Sequence, residues 1–132
     1  MKKHIYVLLS VAFTMLSCES CREMKSVGVK EFSRYLNRRN VVLIDVRTPE
    51  EHAEGHIVGT DYNFNVLDDS FERMILENIS HDSQVAIYCR SGNRSKTAGV
   101  VLERNCYRVV ELESGYKGWA EAGMDVEKQL QP

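Results

Sequence analysis

No apolar run in the 132 residues reaches the ~20 needed to cross a bilayer as a helix. Positive charge is not in surplus either. Seventeen Lys and Arg face 19 Asp and Glu, a net charge of −2, which gives no electrostatic reason to expect nucleic-acid binding. The four histidines, His4, His52, His56 and His81, show no metal-ligand spacing and the four cysteines offer no second pair of ligands, so neither a metal nor another cofactor is expected. Internal repeats and low-complexity segments are absent. What remains, 43% hydrophobic and 27% charged residues, is the composition of a globular domain.

The N-terminus reads as a targeting segment. Lys2 and Lys3 precede an apolar run from Ile5 to Leu16, broken only by Ser10 and Thr14. That length suits the centre of a secretory signal. It ends in Met15-Leu16-Ser17-Cys18, and a small residue before a cysteine resembles the lipobox of bacterial lipoproteins. The resemblance implies acylation of Cys18 after removal of residues 1–17. It also implies export, with the protein membrane-anchored by lipid and facing the periplasm or cell surface. An ordinary cleaved signal with unmodified Cys18 is the alternative. Loss of Lys2 and Lys3 leaves 15 basic against 19 acidic residues, a net charge of −4. Residues 18–26 read as a tether and 27–132 as one domain. Cys18 and Cys21 form a CxxC at the signal boundary, a weak redox or zinc signal. Cys106 is expected to be small and semi-buried.

Within the domain, short apolar runs alternate with helical patterns. Val29, Phe32, Tyr35 and Leu36 predict a helix over about 29–37. Val41 to Ile44 reads as a strand buried on both faces. Thr48-Pro49-Glu50-Glu51 opens a helix with a capping box, and Gly55 ends it. Phe71, Met74, Ile75 and Ile79 mark a third helix after Asp68-Asp69. Val85 to Tyr88 is a second buried strand. Ser95 to about Asn105 is a helix capped by Ser95, Val109-Val110 begins another strand, and Tyr116 to Ala122 is a final helix. Strands separated by helices predict an α/β fold, a mainly parallel central sheet with helices on both faces. Ligands gather at the carboxyl ends of such strands.

Two segments fall at those ends: Asp45-Val46-Arg47, and the loop Cys89-Arg90-Ser91-Gly92-Asn93-Arg94-Ser95. The loop joins a strand directly to a helix N-terminus, whose unpaired N–H groups and dipole favour an anion. Gly92 permits unusual backbone angles, and Asn93 tolerates them. Arg90 and Arg94 add positive charge. A cysteine facing this cradle loses its proton readily. The bland alternative, a small buried Cys89 at a strand end, leaves the glycine and arginines without a job.

These segments carry a resemblance across nearly all of the chain after the signal. Asp45-Val46-Arg47, Glu51 and Gly55-His56-Ile57 form one block. Tyr88 to Ser95 form the second. Glu113-Ser114-Gly115, Gly118-Trp119 and Gly123 form the third. In order and spacing they resemble the rhodanese-like, or thiosulfate sulfurtransferase-like, family. The resemblance implies that Cys89 attacks a small anionic sulfur donor such as thiosulfate and holds sulfur as a persulfide. A thiol or cyanide acceptor then removes it. Arg90, Ser91, Gly92, Asn93, Arg94 and Ser95 would bind the donor and the persulfide. Asp45, Arg47 and His56 are expected to support the loops. Val58-Gly59-Thr60, Ser114 and Cys106 depart from the family's usual Pro-Gly-Ala, glycine and glycine. Two other functions remain open: a sulfur-carrier or binding module with little turnover, and a cysteine-based phosphatase. Four residues separate Cys89 from Arg94. Related phosphatases place one more there, for a wider cradle.

Overall fold

A computed structural model describes residues 23–130. The expected signal, Cys18 and Cys21 lie outside the described residues.

Apolar β-branched runs form the centre of the molecule. Strands β1 (Lys25–Val27), β2 (Val41–Asp45), β4 (Tyr62–Asn63), β5 (Gln84–Tyr88) and β6 (Arg108–Leu112) make one sheet in the order β1-β6-β5-β2-β4. All of its neighbouring strands run parallel. Strands β3 (His56–Ile57) and β7 (Val126–Glu127) form a separate antiparallel pair. The helices are α1 (Val29–Leu36), α2 (Pro49–Glu54), α3 (Phe71–Asn78), α4 (Asn93–Arg104) and α5 (Gly115–Glu121).

Side chains alternate across the sheet, and each face has its own core. Ile44, Val46, Val85, Ile87, Cys89 and Val109 meet Phe71 and Ile75 of α3 and Ala98 and Leu102 of α4. Leu43, Ala86, Tyr88, Val110 and Leu112 meet Phe32 and Tyr35 of α1 and Trp119 of α5. The expected parallel sheet with helices on both faces is present. None of the described helices is long and apolar enough to cross a membrane.

Local signals account for much of this. Thr48 and Glu51 make the capping box, with the Glu51 N–H on Thr48 Oγ1 at 3.3 Å and the Thr48 N–H on Glu51 Oε2 at 3.1 Å. Asp68 does organise the start of α3, through the Ser70 N–H at 2.9 Å. Ile79, expected inside that helix, is its extended C-cap. Strand β1 starts at Lys25, so the expected boundary between tether and domain falls inside a strand. Strands β3, β4 and β7 have two residues each, too few for a period to show.

Two expectations need correction. Helix α4 begins at Asn93 rather than Ser95, with Gly92 as its N-cap. Ser95 therefore does not cap it, and Asn93 has helical geometry instead of an unusual one. Cys106 is exposed rather than semi-buried. It sits at φ +62°, a left-handed geometry in which a glycine would be at ease.

Candidate active site

Strand β5 delivers Cys89 to the carboxyl end of the sheet, with only 1% of its surface exposed. The loop then folds back over its sulfur. Gly92 N–H donates to Cys89 Sγ at 3.0 Å. The N–H groups of Ser91 and Ser95 also face it. Helix α5 explains why they point inward. Tyr116 N–H donates to the Cys89 carbonyl at 2.8 Å, and Lys117 N–H donates to that of Arg90 at 3.0 Å. The loop's first carbonyls are thus turned out toward α5, leaving the following N–H groups for the sulfur.

Two glycines make this approach possible. Gly92 has φ +102°, and a Cβ there would strike the Glu113 carbonyl. Gly115 has φ +64°, and a Cβ there would strike the Arg90 carbonyl. Burial pushes the Cys89 thiol up; the backbone N–H groups of Ser91, Gly92 and Ser95 draw it down, and so would the Ser95 hydroxyl whenever it donates to the sulfur. The net result lies below an ordinary thiol. Cys89 is the free cysteine among the described residues.

The two arginines differ in role. Arg90 is exposed, and among the described residues its guanidinium has no ion-pair partner. It lines a cleft of about 380 Å³ together with Arg47, Glu51, Tyr116 and Lys117. Arg94 was expected to join Arg90 in attracting the donor. Its guanidinium forks onto Glu51, at 2.6 Å and 2.7 Å. The same carboxylate closes the α2 capping box. One residue thereby latches α2 to the Cys89 loop, while the Arg94 charge still acts on Cys89.

The Arg94 guanidinium holds the Glu51 carboxyl down to about 2. In the unfolded chain this carboxyl would titrate near 4.5. The latch should therefore contribute fully above about pH 5 and lose its contribution as pH falls toward 2. Urea unfolding of wild type and Glu51→Gln across this range checks it. Their stability gap should be constant from neutral pH to about pH 5 and then close. A gap that stays constant to pH 2 would contradict the assignment.

Asp45, Arg47 and His56 form a brace next to the loop. Asp45 is fully buried, and its Oδ1 accepts from Arg47 N–H at 3.0 Å and Nε at 2.9 Å. Its Oδ2 accepts from Arg47 Nη2 at 2.7 Å and contacts His52 Nδ1 at 2.9 Å. Arg47 also donates to the Gly55 carbonyl at 2.6 Å and stacks over Tyr116, 4.4 Å from the ring centre. His56 contacts the His52 carbonyl through Nδ1 and Glu127 through Nε2. It reaches β7, not the loop.

Sequence reasoning gave no role to Lys96, Tyr116 or Glu111, and saw Glu51 as a cap only. Glu51 had a visible signal, since it recurs in the block with Asp45 and Arg47. Glu111 had none, because its strand neighbours are apolar. Among the described residues no cluster of His, Cys, Asp or Glu could hold a metal ion.

A buried, hydrogen-bonded thiol in a strand-to-helix loop of a doubly covered parallel sheet defines a class of α/β proteins with cysteine-centred anion loops. The comparisons narrow the class. Residues 28–122 match the rhodanese-like domain, and the chain belongs to that family. A rhodanese-related protein from Thermoplasma volcanium is 26% identical with a TM-score of 0.67, over 78% of this chain and 97% of its own. A rhodanese-like domain protein from Staphylococcus aureus is 28% identical with a TM-score of 0.66, over 80% of this chain and 100% of its own. A thiosulfate sulfurtransferase from Pseudomonas aeruginosa shares the fold at 22% identity and a TM-score of 0.67. That match covers 82% of this chain and 21% of the other.

Proposed function

We propose that this protein is a sulfurtransferase that moves sulfane sulfur from an anionic donor such as thiosulfate to a thiol or cyanide acceptor. The carrying observation is the buried Cys89 sulfur beneath three inward backbone N–H groups. The thiolate attacks the outer sulfur of thiosulfate. The donor's S–S bond breaks, and sulfite leaves with the electron pair. The acceptor then takes the outer sulfur and returns the thiolate. Exposed Arg90 attracts the donor, and the backbone N–H groups of Ser91, Gly92 and Ser95 stabilise the charged terminal sulfur. Asn93 contributes the first turn of α4 to that field. Arg94 supplies charge at a distance, drawn to Glu51 rather than aimed into the loop. That placement argues against a phosphatase, which needs its arginine on the phosphate.

Intact-mass spectrometry of the reduced protein tests the reading. Thiosulfate should add one sulfur atom, and cyanide should remove it with turnover. Loading without turnover would favour the carrier. No loading with any of several donors would leave a binding module.

For localisation we propose an exported protein anchored through acylated Cys18. The Lys2-Lys3 start, the apolar run and Ser17-Cys18 support it. Expressed at full length in a bacterium, the protein should partition into detergent and carry fatty acid. Cys18→Ala should release it or block processing. Membrane retention of Cys18→Ala, with no acyl group on the wild type, would sink the anchor.

A further inference from the structure

Glu111 lies fully buried on the sheet face beneath α4. It pairs in register with Ile87 on β5, two residues before Cys89, and with Ser26 on β1. A buried carboxylate is costly unless its oxygens are satisfied. Here Oε1 accepts from Ser26 Oγ and from Lys96 Nζ, each at 2.5 Å. Oε2 accepts from Ser95 Oγ. These bonds offset burial and keep the Glu111 carboxyl below its ordinary range, hence ionised.

Ser95 has one hydroxyl hydrogen and three neighbours that could take it. They are Glu111 Oε2, the Gly92 carbonyl at 3.1 Å and Cys89 Sγ at 3.5 Å. An ionised carboxylate at the shortest contact is the strongest acceptor. The hydrogen therefore goes to Glu111, and Ser95 turns a lone pair toward Cys89. A thiol S–H can donate to that lone pair, but a thiolate finds no proton there. The carboxylate behind Ser95 adds like charge.

We propose that Glu111 is a positioning residue that acts through Ser95 to disfavour charge on Cys89 Sγ, and so biases the protein toward its sulfur-loaded form. The inference rests on the persulfide reading above. In the empty state the negative charge sits on Sγ, beside Ser95. Thiolate plus thiosulfate gives persulfide plus sulfite, with total charge unchanged. In the loaded state Sγ is a neutral bridging sulfur, and the charge lies one bond farther from Glu111. The penalty imposed by Glu111 falls mainly on the empty state.

The other charges around the sulfur do not change between these states. Arg94 from α4 acts on Cys89 while held by Glu51 of α2, with Asp45 of β2 behind it. Lys96 from α4 acts on Cys89 while held by Glu111, with Glu113 nearby.

The test uses reduced full-length protein, with alkylation followed at Cys89 by peptide mass spectrometry. In Glu111→Gln the midpoint of the alkylation pH profile should fall by about one unit. At a fixed ratio of thiosulfate to sulfite, its persulfide-to-thiolate ratio should fall ~3- to 10-fold. An unchanged or higher midpoint overturns the proposal. Ser95→Ala gives a second arm, which also serves if Glu111→Gln does not fold. A serine that donated to the thiolate would, when lost, raise the midpoint by about one unit. A serine committed to Glu111 would not, and a rise overturns the proposal. Alkylation needs no sulfur donor. A wild type that never loads sulfur would therefore sink the sulfurtransferase reading by itself. One that loads equally well with and without Glu111 would sink this inference alone.

Discussion

Cys89→Ser should abolish sulfur loading and lower thiosulfate-to-cyanide turnover by at least ~10³-fold. A hydroxyl at this position has nearly the size of the thiol and can still accept the Gly92 N–H that now meets Sγ at 3.0 Å. It stays protonated near neutral pH, so the loop's positive field has no anion to prepare. The fold should survive with a stability change on the order of 1 kcal/mol, because packing and the loop's hydrogen bonds are kept. Circular dichroism and thermal unfolding check the second part. Intact mass after thiosulfate checks the first. Cys106→Ser in parallel should retain loading, since Cys106 lies at the exposed end of α4, away from the loop. A sulfur adduct that persists in Cys89→Ser would remove Cys89 from the mechanism.

Asp45→Ala should be the most destabilising single change in the brace, by ~3–5 kcal/mol. Asp45 is fully buried, and the Arg47 side chain is 4% exposed. Removing the carboxylate strands a buried guanidinium and takes away the His52 contact. Arg47 would then pull on the Gly55 carbonyl and on Tyr116 without its anchor. Because Tyr116 N–H holds the Cys89 carbonyl, the loop should loosen as well. Urea unfolding should show the loss at neutral pH, and Cys89 loading should slow in the molecules that remain folded. Asp45→Ala combined with Arg47→Met should recover part of the stability, since no charge is then left unpaired. A loss below about 1 kcal/mol in the single variant would mean that the pair is dispensable.

These two sites differ in how plainly the chain announced them. Cys89 was legible because its neighbours are informative one by one. A buried strand ends, a glycine follows, arginines flank it, and a helix begins. Asp45 and Arg47 were legible as a pair, although the tie through Gly55 to Tyr116 was not. The Glu51 partner of Arg94 was not legible, because the charge of Arg94 was visible while the position of Glu51 was not. An arginine next to an anion loop and an arginine latched to another helix look identical in one dimension.

The sequence by itself determined the elements that depend on near neighbours. Apolar runs made the strands, helical spacing made α1 and α3, and the Thr48 capping box opened α2, since these effects act within a few residues. It also marked Cys89 as the candidate nucleophile, because strand, turn and helix N-terminus are contiguous there. Only the tertiary structure decided which partners those residues take. The Glu51–Arg94 latch joins residues 43 apart in the chain, and the Ser95–Glu111 contact joins residues 16 apart on different elements. Parallel pairing brings β6 beside β5 and puts Glu111 on the face that carries Cys89. Register across a sheet and the proton choice of one buried hydroxyl depend on three-dimensional neighbours, and a linear pattern does not contain them.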